Sequence, residues 1–341
     1  MHGAVGRGDD AAPAGVGGGA GGEGEQEQGR RNWHATLYGS GRPGGEGGPL
    51  DTAPLEHGYA PGADGVRLHY VAAGAAGAPP VVLLHGFPEF WYSWRHQLPA
   101  LASAGFRALA LDLRGYNLSG KPPRVADYRL ERLAEDVRLF IRGVAGGRAH
   151  VVGHDWGGVI AWQLAMRHPD VVERLAILNA PHPAAYLREV RRPRQLFRSW
   201  YAFFFQLPWL PEAVFRFNDF QSLRQTFRTD PARAGAFTDD DIELYVAAFY
   251  RRQTLTAAMN YYRAAFRGMW RFARDSRPVE APTLLVWGDG DRYLVPENTL
   301  GLDKWVPRLR VERLSHASHW VQHDEPDRVN GLLIEWFRGN R

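Results

Sequence analysis

The run Gly153-His154-Asp155-Trp156-Gly157-Gly158 follows the apolar stretch His150-Val151-Val152 and leads into Val159-Ile160-Ala161-Trp162. A strand, a sharp turn flanked by small residues and a helix make a nucleophile elbow, with Asp155 where serine is usual. Glycines suit such a turn because neighbouring backbone passes too close for a Cβ. The plainer reading of Asp155 is a cap on the helix that begins at Trp156. As a nucleophile, a carboxylate would change the reaction class. It can displace a leaving group from an sp³ carbon and become an alkyl ester. That ester must then be hydrolysed at its own carbonyl, which needs an activated water and donors for the oxyanion.

An acid–base histidine and an orienting carboxylate are therefore expected downstream. Trp287-Gly288-Asp289-Gly290-Asp291 follows the apolar run Leu284-Leu285-Val286 and offers two acids at the end of a strand. Ser315-His316-Ala317-Ser318-His319-Trp320 offers two histidines, and His323 is a third. Their spacing would also suit a metal, but no His-Glu-x-x-His pattern or second ligand cluster accompanies them. Solvent-facing loop positions are expected for His316 and His323. Upstream, His85-Gly86-Phe87-Pro88 leaves the apolar run at 81–84. The Phe87 and Trp156 backbone N–H groups are the expected oxyanion donors, and His85 is expected to brace its loop.

The elements that must position these residues alternate. Runs at 81–84, 108–111, 151–152, 175–178 and 284–287 read as buried strands of a mainly parallel sheet. Between them lie helical periods. Leu130, Leu133, Val137, Phe140, Ile141 and Val144 fall on one face, as do Val329, Leu332, Leu333, Trp336 and Phe337 behind Pro326. This is the pattern of an α/β fold, a sheet flanked by helices. From 184 to 268 no strand is visible, and Thr238 with Asp241 reads as a capping box. That stretch is expected to be an all-helical lid inserted in one core domain, with core halves at 51–183 and 269–341.

Residues 1–50 hold 17 of the 39 glycines and, among aromatics, only Trp33 and Tyr38. They are expected to form a disordered arm. With no cysteine in 341 residues, disulfide scaffolds, thiolate metal sites and a cysteine nucleophile are excluded. No run of eighteen apolar residues exists, so no membrane span is expected. No secretory signal is visible either, and a cytoplasmic location is expected. Net charge is only +4, and the lysines number two, Lys121 and Lys304. The densest basic stretch, Arg188, Arg191, Arg192, Arg194 and Arg198, could meet an anionic membrane or nucleic acid. A solvated face is the plainer reading, and Pro193 interrupts the run. No nucleic-acid partner is expected.

Four motifs taken together resemble the α/β-hydrolase-fold epoxide hydrolases: His85-Gly86-Phe87-Pro88-Glu89-Phe90-Trp91, Asp112-Leu113-Arg114-Gly115-Tyr116, the run 153–158 and Ser318-His319-Trp320. The resemblance extends from about residue 55 to the C-terminus. It implies Asp155 as nucleophile, His319 as base and Asp291, before Tyr293-Leu294-Val295-Pro296, as its partner. It also implies that lid residues Tyr201 and Tyr262 hold the epoxide oxygen. Neighbouring Tyr261 lies about 100° round a helix, so one of the two faces the site. Arg251-Arg252-Gln253 and Ala257 depart from the family's turn before Tyr262, which bears on substrate range. The implied reaction joins an epoxide and water into a vicinal diol through an alkyl-aspartyl ester, with no cofactor and no metal. A dehalogenase would share the Asp–His–Asp set, and a non-catalytic hydrolase-fold binding protein is a further alternative.

Overall fold

The computed structural model describes residues 55–274 and 276–339, so the arm expected over 1–50 lies outside the described residues. Eight strands form one sheet: β1 (Glu56–Pro61), β2 (Arg67–Ala73), β3 (Pro80–Leu84), β4 (Arg107–Leu111), β5 (Ala149–His154), β6 (Val172–Leu178), β7 (Thr283–Gly288) and β8 (Leu309–Leu314). Their spatial order is β1-β2-β4-β3-β5-β6-β7-β8. β1, β2 and β4 pair antiparallel, and every other pairing is parallel. The five apolar runs anticipated from sequence are β3 to β7. Their hydrophobic side chains are buried because helices cover both faces of a parallel sheet.

Helices α1 (Gln97–Ser103), α2 (Leu130–Val144) and α3 (Trp156–Arg167) alternate with the strands. Along α2, Leu133, Val137, Phe140 and Ile141 are buried, the face its period marked. After β6 come seven helices and no described strand: α4 (Pro183–Glu189), α5 (Pro193–Arg198), α6 (Trp200–Phe204), α7 (Leu210–Arg216), α8 (Gln221–Thr229), α9 (Asp239–Tyr250) and α10 (Thr254–Arg274). α9 opens on the expected box: Thr238 Oγ1 accepts from the Asp241 N–H, and Asp241 Oδ2 accepts from the Thr238 N–H. Arg95 ties this insertion to the core. It donates to the Ala236 carbonyl at 2.9 Å and pairs with Asp241 at 3.4 Å. The chain ends with α11 (Val321–Asp324) and α12 (Pro326–Phe337). Among the described residues no helix is long and apolar enough to cross a membrane.

From β3 the chain goes first to β4 on one side, while β5 pairs with the other side of β3. That makes the gap between the carboxyl ends of β3 and β5 a topological switch point, where open α/β sheets bind ligands. Leu84 and Gly153 are register partners across it. The Phe87 loop and the Asp155 turn therefore leave the sheet side by side.

Candidate active site

Asp155 sits between β5 and α3 with φ 47° and ψ −118°, a left-handed conformation that L-residues rarely adopt. Its side chain makes no capping bond to α3, which removes the helix-cap reading. A Cβ on Gly157 would run into the Leu84 carbonyl, and one on Gly153 into the Gly157 carbonyl, so the turn requires both glycines. The carboxylate points towards β3. Oδ2 accepts a hydrogen bond from the Phe87 N–H at 2.8 Å, and Oδ1 lies 3.9 Å from His319 Nε2.

His319 follows β8 and is buried. Its Nδ1 lies 2.8 Å from Asp291 Oδ2. An ionised carboxylate only accepts, so Nδ1 carries the proton and Nε2 faces Asp155. Asp291, just beyond β7, is fixed on all sides. Oδ1 accepts from the Tyr293 and Leu294 N–H groups at 2.7 and 2.9 Å, and Oδ2 from Asn179 Nδ2 at 2.8 Å. Burial alone would raise the Asp291 pKa, but His319 and these donors hold it below the ordinary value. Burial likewise pushes the His319 imidazole down. The Asp291 charge and hydrogen bond, with Asp155 and Glu89 adding, more than offset this and leave its pKa raised to about 9.

The rival candidates separate cleanly. Asp289 is tied to Arg313 at 2.8 Å, and His316 is exposed. His323 departs from the solvent-facing position expected of it: it is fully buried, with Nε2 3.0 Å from Glu89 Oε1 and Nδ1 3.0 Å from Arg95. The reason is that α11 folds back under the site instead of running on as a loop. Burial and the Arg95 charge lower its pKa to about 3. His85 braces its loop, facing the Gly86 carbonyl through Nδ1 and accepting from the Leu113 N–H at Nε2.

Above the carboxylate lies a cavity of about 670 Å³ whose lining includes Asp155, Trp156, Tyr201 and Tyr262. The Tyr201 and Tyr262 rings are 5.9 Å apart, and Trp156 meets Tyr262 edge-on at 5.0 Å. Burial raises both phenol pKa values well above the ordinary one, and the nearby Asp155 charge adds to the rise. Both stay protonated and able to donate. The Tyr261 ring reaches the cavity wall, but its hydroxyl turns away to donate to the Arg114 carbonyl at 2.6 Å.

The family described as alpha/beta hydrolase fold matches residues 79–326. Epoxide hydrolase 4 of Mus musculus is 41% identical over 280 residues, covering 80% of this chain and 77% of its own. Epoxide hydrolase 3 of Xenopus tropicalis is 39% identical over 307 residues, covering 85% and 82%. The chain belongs to the α/β-hydrolase-fold epoxide hydrolases. The crystal structure of a mutant epoxide hydrolase from Bacillus megaterium complexed with its product superposes with a TM-score of 0.76 at 33% identity, over 83% of this chain and all of that one. These relatives and the structural neighbour are all epoxide hydrolases, and the dehalogenase alternative is not favoured.

Two residues of this epoxide hydrolase escaped the sequence reading. Asn179, at the end of β6, donates to Asp291 and accepts from the Gly288 N–H at 2.8 Å, linking two loops. A polar residue at the carboxyl end of a buried strand was the available signal. Glu89, fully buried, lies 2.9 Å from His154 Nδ1, and His154 Nε2 donates to the His319 carbonyl at 2.9 Å. Burial alone would raise the Glu89 pKa, but His154 and His323 hold it well below the ordinary value.

Proposed function

We propose that Asp155 Oδ1 attacks an oxirane carbon while Tyr201 and Tyr262 donate to the epoxide oxygen. The C–O bond breaks, the carboxylate becomes an alkyl ester, and a phenol gives its proton to the new alkoxide. Ester formation removes the Asp155 charge, one of the contributions that keep His319 protonated. The imidazole then releases its proton, restoring the phenol, and becomes a base. Nε2 takes a proton from water, the resulting hydroxide adds to the Asp155 carbonyl carbon, and the Phe87 and Trp156 N–H groups hold the oxyanion. Collapse expels the second alcohol as part of a vicinal diol. Asp291 fixes the imidazole throughout. The helices between β6 and β7 serve as a lid that brings the two phenols over the nucleophile.

The observation that carries this reading is the placement of both phenols in one cavity with a carboxylate whose free oxygen faces His319. A halide leaving group would not need the paired phenols. Mass spectrometry after incubation with an epoxide tests the division of roles. His319→Gln should hold a covalent adduct of substrate mass on the peptide containing Asp155, and Asp155→Asn should show neither adduct nor turnover. An unmodified His319→Gln protein beside an active Asp155→Asn protein would overturn it.

A further inference from the structure

The segment that carries Tyr201 turns apolar side chains outward. Leu196, Trp200 and Phe203 recur at i, i+4 and i+7 along α5 and α6, one helical stripe, and all three are exposed. Beside them Phe197 is 76% exposed, and Trp200 itself is 64% exposed. Leu210, Val214 and Phe217 repeat the spacing along α7, behind Trp209 at 72% exposure. Single apolar residues on a surface need no explanation, whereas a cluster marks an interaction site. Phe203 meets Phe266 of α10, also exposed, with ring centroids 5.9 Å apart.

Leu196, Phe203 and Phe266 also line the cavity that holds Asp155. The patch is thus the rim of the substrate cavity. Its charge is one-sided: Arg129, Arg191 and Arg267 line the cavity, and Glu131 is the one acid there besides Asp155. Residues 184–217 contain six arginines and two glutamates. Both glutamates are turned inward, Glu189 onto Arg188 at 2.6 Å and Glu212 onto Arg263 at 2.8 Å. Arg192 and Arg194 are exposed, though Arg192 lies 3.2 Å from Glu189 and Arg194 2.8 Å from Glu297; Arg191 and Arg267, on the cavity lining, are exposed as well. A protein partner seated on this rim would close the entrance, whereas a bilayer surface would supply it. Trp, Phe and Leu beside arginines are the composition that settles into the headgroup region of an anionic bilayer.

We infer that the face around Leu196–Phe203 docks on an anionic lipid surface and admits apolar epoxides dissolved in that surface directly to Asp155. The substrate half of this inference rests on the function proposed above; the docking half does not. Full-length protein sedimented with phosphatidylcholine vesicles, with and without phosphatidylserine, provides the test. Binding should require phosphatidylserine and weaken with salt. The Phe197→Ser/Trp200→Ser double variant, altered only at exposed positions outside the cavity lining, should bind about tenfold more weakly. It should hydrolyse a water-soluble epoxide at the parent rate and a long-chain epoxyalkane held in the vesicles more slowly. A parent protein that stays in the supernatant, or a double variant that sediments equally well, overturns docking. So does a parent that is dimeric and unbound where the double variant is monomeric, which would assign the patch to self-association. Vesicle binding without turnover of any epoxide would sink the enzymatic roles and leave docking in place.

Discussion

The imidazole of His319 lies between two carboxylates, and its basicity depends on both. Because Asp155 is among the groups that raise its pKa to about 9, Asp155→Asn should move the His319 titration downward, towards the direction in which burial already pushes it. An NMR titration of the ring protons checks this, and an unchanged or higher value would contradict the proposed charge coupling. In the proposed reaction Tyr201 and Tyr262 divide a different task. Removing one donor to a developing oxyanion typically costs on the order of 10² to 10³ in rate. With two phenols sharing the alkoxide, either Tyr→Phe change should leave partial activity and the double change very little. Rapid-quench kinetics should locate the loss in ester formation, not ester hydrolysis. Tyr261→Phe should spare that step, since its hydroxyl is committed to the Arg114 carbonyl. Parent-like ester formation in the double variant would reduce both phenols to packing.

Among the elements, α9 has the most explicit start signal, and its box also reaches outside the helix. Thr238→Ala should cost about 1 kcal/mol, the ordinary worth of an N-cap, read as a lower urea midpoint at constant slope. Asp241→Asn should cost more, because Asp241 also accepts from Tyr92 at 2.8 Å and pairs with Arg95. Elements of this kind were legible because their signals are local. The apolar runs of β3 to β7 and the periods of α2 and α12 each lie within a short window of sequence. β1, β2 and β8 were not anticipated as strands: β1 and β8 are edges, and β2 opens with Arg67, His69 and Tyr70 among its apolar residues. On β8, Val311 and Arg313 are exposed and the other four residues, Arg310 and Glu312 among them, are half-buried, so no apolar run marks it. The candidate site divides in the same way. Asp155 announces itself through its flanking glycines, but nothing local told Asp291 from Asp289 or His319 from His316. Only the resemblance to a family made that choice; in the fold Asp291 lies 2.8 Å from His319, whereas Asp289 turns to Arg313 and His316 to solvent. Asn179 and Glu89 act through partners more than 60 positions away, and no short window carries such a signal.

At the scale of the whole molecule, the buried His319–Asp291 pair links stability to pH. The folded imidazole has a pKa of about 9 against an ordinary 6.5. Its contribution is therefore fully present below about pH 6.5 and lost as pH rises through 9. Urea denaturation at pH 6 and pH 9.5 should show a fall in the parent that His319→Gln reduces; equal falls would place the linkage elsewhere. Residues 1–50 are expected to add nothing to the core, so their deletion should leave melting temperature and turnover unchanged. A clear drop in either would show that the segment packs on the core.

The Phe87 N–H holds one particular oxygen of Asp155, and this gives the two carboxylate oxygens different fates. Oδ2, pinned, would remain with the enzyme as the ester carbonyl, while Oδ1 would depart in the diol and be replaced from water. In water enriched with heavy oxygen, the first diol released should be unlabelled and each later one should carry a single heavy atom. A carboxylate that rotated freely between turnovers would instead give a second diol only about half labelled. Counting isotopes over successive turnovers thus measures how firmly one backbone amide fixes the orientation of the Asp155 carboxylate, the proposed nucleophile.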